Sequence, residues 1–180
     1  LDSSPLESIL NEDVKAIQQI TWDIFTVFSE WYHFAILSLL ELKDSTLEPR
    51  WIARKLGISQ AEATTAVERL KQLGLIAQVK GKWKQTGGQL RVPPHLSTAA
   101  SRKFQRQLLL KALESLDNDE PSTRDITSIT FAMDPEQMGF ASDEITKFRR
   151  GLTKKLEEKK KVKAVYNLTI QLYPVTKSES

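Results

Sequence analysis

The chain has 180 residues, 40% of them apolar and 27% charged, enough to bury a core, and its net charge of +3 is too small to identify a partner. It contains no cysteine, which excludes disulfides, thiolate nucleophiles and cysteine metal sites. No apolar run approaches the roughly 20 residues of a membrane-crossing helix, and Leu1 to Pro5 lacks the basic and apolar regions of a secretory signal, so a cytoplasmic protein without membrane contact is expected. The missing initiator methionine suggests a piece of a longer protein.

Charge is distributed unevenly. Residues 1–49 carry nine acidic side chains against two basic ones, Lys15 and Lys43. Residues 50–84 carry eight basic side chains against only Glu62 and Glu68. A basic patch of this kind is often only a solvated face, and it gains meaning from the motif that contains it.

Residues 1–19 form a polar segment with a weak helical pattern in Leu6, Ile9, Leu10, Val14 and Ile17. Ile20, Trp22, Ile24, Thr26 and Phe28 then alternate with period two, which predicts a short half-buried strand. Ser29 is an expected N-cap for a helix over 30–42, apolar on so many sides that several neighbours must cover it. Pro49 opens a second helix through Trp51, Ile52, Ala53 and Leu56, and Gly57 closes it. Ser59 and Glu62 make a Ser-x-x-Glu capping box, so a third helix runs from there to Leu73 before Gly74. Its inward face is Ala63, Ala66, Val67, Leu70 and Leu73; Gln60, Thr64, Thr65, Lys71 and Gln72 are left for the outside.

Residues 75–79 and 82–86 read as strands joined by the Lys80-Gly81 turn, giving a short basic hairpin. Gly87-Gly88 and Pro93-Pro94 mark a linker. A long helix is expected over 97–116, a strand over 124–133, a helical region from Asp134-Pro135 to about 160, and a strand over 163–174. Two strands alone make a weak sheet, so the 20–28 strand or a second subunit must supply an edge.

Catalytic chemistry was sought at the two histidines. His33, in Trp31-Tyr32-His33-Phe34, reads as a hydrogen-bonded structural histidine, and His95 as a loop residue after two prolines. There is no His-Glu-x-x-His zinc motif, phosphate loop, dinucleotide fingerprint or hydrolase elbow, so no enzyme activity, metal or cofactor is expected. Asp117, Asp119 and Glu120 lack the spacing of a calcium loop. Trp22, Trp31, Trp51 and Trp83 are expected as core anchors rather than stacking platforms.

Several segments resemble a family of largely uncharacterised bacterial proteins that carry a domain of unknown function and are described as transcriptional regulators. They are Trp31-Tyr32-His33-Phe34-Ala35-Ile36, Trp51-Ile52-Ala53 with Leu56-Gly57-Ile58, residues 124–130, and Val165-Tyr166-Asn167-Leu168 leading to residues 172–176. The resemblance implies a further N-terminal helix-turn-helix-like region in longer members. Gln105 departs from the family, where histidine is frequent.

The combined expectation is an α+β protein: a polar segment (1–19), a winged helix-turn-helix domain (20–90), and a helix-strand-helix-strand region for dimerisation or ligand sensing (91–180). The expected function is DNA-binding transcriptional regulation. Gln60, Thr64 and Thr65 would read base edges of double-stranded DNA, while Arg54, Lys55, Lys71, Lys80, Lys82 and Lys84 hold phosphates. A homodimer is expected because paired half-sites need two such helices. The rival expectation is an interaction module of the same fold that touches no DNA.

Overall fold

The computed structural model describes residues 18–87, 98–158 and 162–177. It is α+β and mostly helical, with one two-stranded antiparallel sheet. The elements are α1 (18–29), α2 (Trp31–Leu39), α3 (Pro49–Leu56), α4 (Gln60–Gln72), β1 (Ile76–Val79), β2 (Lys82–Gln85), α5 (Thr98–Asn118) and α6 (Met138–Glu157). Short 3-10 turns lie at Pro121–Thr123 and Pro135–Gln137. The chain divides into two compact units: one holds residues up to 107 with 163–165, the other 108–162 and 166 onward. No helix among the described residues is long and apolar enough to cross a membrane. The glycine- and proline-marked linker from Gly88 and the His95 loop lie outside the described residues.

The expected strand over 20–28 is instead the helix α1. Its buried residues are Asp23, Val27, Phe28 and Ser29, on one side of a helix at four-residue spacing, whereas Ile20 and Trp22 are exposed. Period-two reading failed because it assigned Asp23 outward. In the fold, Asp23 turns inward to meet Arg69 of α4 at 2.8 Å. Trp22, expected as a core anchor, stacks instead on exposed ground against Phe25, with ring centroids 5.7 Å apart.

The chain turns sharply at Glu30, whose extended backbone, not Ser29, stands at the N-terminus of α2. Ser29 is buried and donates its hydroxyl to the Thr26 carbonyl within α1. The cap of α2 comes from a distant helix. Gln107 of α5 accepts from the Trp31 N–H at 3.0 Å and donates to the Glu30 carboxylate at 2.8 Å. Lys103 pairs with the same carboxylate, and Phe104 packs on Phe34. The first part of α5 is thereby tied to the α1–α2 corner, inside the first unit. Together with Val27, Phe28 and the packing of α3 and α4, it covers the largely apolar α2, as that helix requires.

Local chemistry sets the next boundaries where the sequence places them. Pro49 occupies the first turn of α3, and Gly57 ends it at φ +67°, a left-handed conformation that Cβ-bearing residues adopt only with strain. Ser59 Oγ accepts from the Glu62 N–H at 3.1 Å while Glu62 Oε2 accepts from the Ser59 N–H at 2.8 Å. Both halves of the capping box are made. Ser59→Ala should therefore cost about 1 kcal/mol, read as a lowered urea midpoint at unchanged slope. Ala63, Ala66, Val67 and Leu70 join Ile36, Ile52 and Ile76 in the core of this unit.

In the second unit α6 follows the Asp134-Pro135 start as expected, with Asp134 Oδ1 accepting from the Glu136 N–H at 2.9 Å. The two strands expected there are absent. Residues 124–133 and 163–174 adopt no ladder, and no backbone hydrogen bond joins 125–133 or 163–174 to another described residue. A strand needs an edge, and of the two expected sources, the 20–28 segment and a second subunit, the first is the helix α1. The helix-strand-helix-strand expectation thus becomes helix, irregular segment, helix, irregular segment.

Candidate nucleic-acid interface

The site is built on α4 and the hairpin that follows it. Burial of Ala63, Ala66, Val67 and Leu70 leaves Ala61, Thr65, Glu68 and Gln72 along the centre of the opposite, exposed face. Gln60, Thr64 and Lys71 flank that stripe on one side, and Glu62 and Arg69 flank it on the other. The three expected base readers are therefore spread over two positions: Gln60 and Thr64 on a flank, Thr65 near the centre. Thr64 is half-buried and its hydroxyl donates to the Gln60 carbonyl at 2.9 Å, so its oxygen is left chiefly as an acceptor.

Glu68 occupies the middle of the exposed face. The other glutamate, Glu62, is folded back onto Ser59; those hydrogen bonds hold its carboxyl below the usual range. Ala61 and the central placement of Glu68 were not picked out from the sequence, although the same helical period contains them.

The hairpin closes through a two-residue turn with Lys80 at φ +50° and Gly81 at φ +78°. Its register pairs Ala77 with Lys84 and Val79 with Lys82, and these four share one face. The other face holds Ile76, which is buried, and Trp83, which packs against the core. Lys82 and Lys84 therefore project outward together, with Lys80 at the tip. Lys71 of α4 is carried to the hairpin by its ammonium, 4.8 Å from the Trp83 ring centroid. Trp83 is in this way an anchor rather than a free platform. Arg54 and Lys55 form a separate exposed pair in the last turn of α3, where they also oppose the helix dipole's negative end. Lys55 Nζ lies 5.8 Å from the Trp51 ring centroid.

Behind α4 sits a polar cluster that sequence reading missed. Arg69 Nε donates to Asp23 Oδ1 at 2.8 Å, and Gln19 donates to Asp23 Oδ2 at 3.1 Å. Burial pushes the Asp23 carboxyl up, but the hydrogen bonds from Arg69 and Gln19 outweigh it and hold the group below its ordinary range. His33 is fully buried, with Nδ1 3.3 Å from the Glu30 carbonyl and Nε2 3.5 Å from Arg69 Nη1. This pairing assigns the proton to Nδ1, leaving Nε2 as acceptor. Burial, with the neighbouring guanidinium, pushes its pKa down to about 4. His33 is thus a neutral structural group that locks α2 to α4.

An open groove of about 430 Å³ runs beside α4, lined by Trp22, Phe25 and Tyr32 on one wall and Glu62, Thr65 and Arg69 on the other. No group of three or more metal-ligating side chains is present among the described residues.

A family model described as a domain of unknown function, DUF4423, matches residues 12–175. No curated protein and no solved structure matches the chain. With nearly its whole length covered by that model, the chain belongs to the DUF4423 family.

Proposed function

We propose that residues 49–86 are a winged helix-turn-helix that binds double-stranded DNA, and that the protein is a transcriptional regulator. The observation that carries this reading is the outward projection of Lys82 and Lys84 from a hairpin whose tip is Lys80, next to the capped helix α4 and its neighbour Lys71. In this reading α4 enters the major groove, Gln60, Thr64 and Thr65 contact base edges, and the hairpin lies on an adjacent phosphate strand. Arg54 and Lys55 each hold a further phosphate. Glu62 is held back on the Ser59 N–H at the start of α4; Glu68, at the centre of the exposed face, is the other repulsive group.

The test is a paired titration. Lys80→Ala, Lys82→Ala and Lys84→Ala combined should weaken binding to every duplex and reduce the salt slope by up to about three units, since each phosphate contact contributes roughly 0.9. Thr64→Ala with Thr65→Ala should change preference among sequences with little effect on nonspecific affinity. A triple-lysine variant that binds as the parent does removes the hairpin from the interface.

A second reading has its own observation. The groove beside α4 presents the exposed Trp22–Phe25 stack next to Thr65, and Glu68 lies on the face that would meet DNA. These features support the same fold acting as a protein-interaction module. If the parent fails to bind any duplex while Trp22→Ala abolishes capture of a protein partner, this reading replaces the first.

A further inference from the structure

From the second unit we infer that the protein is a two-fold dimer in which residues 124–133 and 166–175 of one copy form sheet with the same segments of the other. This stands on the second unit and is independent of the DNA reading.

Among the described residues of this unit none is buried. Ile129 is 82% exposed, Tyr166 74% and Phe140 70%; Phe140 lies on α6, Ile129 on the segment before it and Tyr166 on the segment after it. Residues 166–172 alternate: Tyr166, Leu168, Ile170 and Leu172 are apolar, while Asn167, Thr169 and Gln171 between them are polar. That is the pattern of a strand with one face against a core and a backbone paired at its edge. Among its described residues the unit supplies neither.

What covers the face must therefore offer apolar side chains and strand edges together, with a charge pattern to match. A second copy of the same unit has all three. Residues 114–125 carry five acidic side chains against Arg124 alone, and residues 147–155 of α6 carry five basic side chains and no acidic one. A two-fold axis can set the acidic stretch of each copy against the basic stretch of the other, which is the self-complementarity an isologous interface needs. The area is also adequate. With aromatic side chains worth about 150–250 Å² each, burying Ile129, Phe131, Phe140, Phe148, Tyr166, Leu168 and Ile170 removes roughly 900 Å² per copy, against about 800 Å² in a standard stable interface.

The test is light scattering of the full chain across micromolar concentrations. The expected mass is about twice 20.5 kDa. Ile129→Asp with Leu168→Asp should halve that mass. Arg149→Glu with Arg150→Glu, on the exposed surface of α6, should weaken the dimer at least tenfold without loss of helix by circular dichroism. Adding Asp117→Arg with Asp119→Arg to that variant should restore association. A 20.5 kDa particle at tens of micromolar overturns the inference, as does a dimer that is indifferent to both sets of substitutions.

Discussion

Arg69→Met should destabilise the first unit by about 3–5 kcal/mol, the penalty for stranding a buried charge by removing its partner. Asp23 is 6% exposed, its carboxylate is met by Arg69 and Gln19, and only the amide would remain. The fully buried His33 loses its Arg69 contact in the same step. The size of the effect comes from isolating Asp23, not from the worth of the pair, so Asp23→Leu added to Arg69→Met should recover much of the loss. Urea unfolding of the parent, both single variants and the double variant measures this. A loss below about 1 kcal/mol for Arg69→Met would place the pair in the class of surface ion pairs.

Acid should weaken the fold through His33. Its pKa is about 4 in the folded protein against an ordinary 6.5, so the unfolded chain takes up the proton first. The contribution is therefore fully present above pH 6.5 and is lost as pH falls toward 4. At 1.36 kcal/mol per pKa unit the whole effect is about 3 kcal/mol. Asp23, held low mainly by Arg69 against the opposing pull of burial, acts in the same direction at more acid pH. His33→Asn keeps an N–H near the Glu30 carbonyl but cannot titrate, so its stability should vary less between pH 7.5 and 4.5 than the parent's. Equal pH dependence in the two proteins would mean that His33 is not held neutral.

The parts of the fold that were legible are those whose boundaries are local chemistry. Pro49, Gly57, the Ser59–Glu62 box and Lys80-Gly81 each specify a start, a stop or a turn within a few residues, and α3, α4 and the hairpin follow them. The helix α1 was misread because the residue that turns its stripe inward is Asp23, and the reason it can be inward is Arg69, 46 positions away. No local pattern contains that pairing. The cap of α2 by Gln107, 76 positions from Trp31, is hidden for the same reason. In the second unit the alternation of residues 166–172 is plain in the sequence, but a strand is a relation between two chains of atoms, and its partner cannot be read from one segment.

The candidate interface shows the same division. Outward lysines at Lys82 and Lys84 follow from alternation around a two-residue turn. The hold of the Ser59 N–H on Glu62 follows from the capping box. The aromatic groove at Trp22 and Phe25 does not, because it needs α1 to be a helix lying beside α4.

Fluorescence anisotropy of a labelled duplex, titrated with the full chain at several salt concentrations, addresses the central claim most directly. If Arg54, Lys55, Lys71, Lys80, Lys82 and Lys84 each neutralise a phosphate, binding is measurable at micromolar protein in about 50 mM salt and falls with a log–log slope near −5. No change in anisotropy at tens of micromolar protein in that buffer, or a slope near zero, would contradict it.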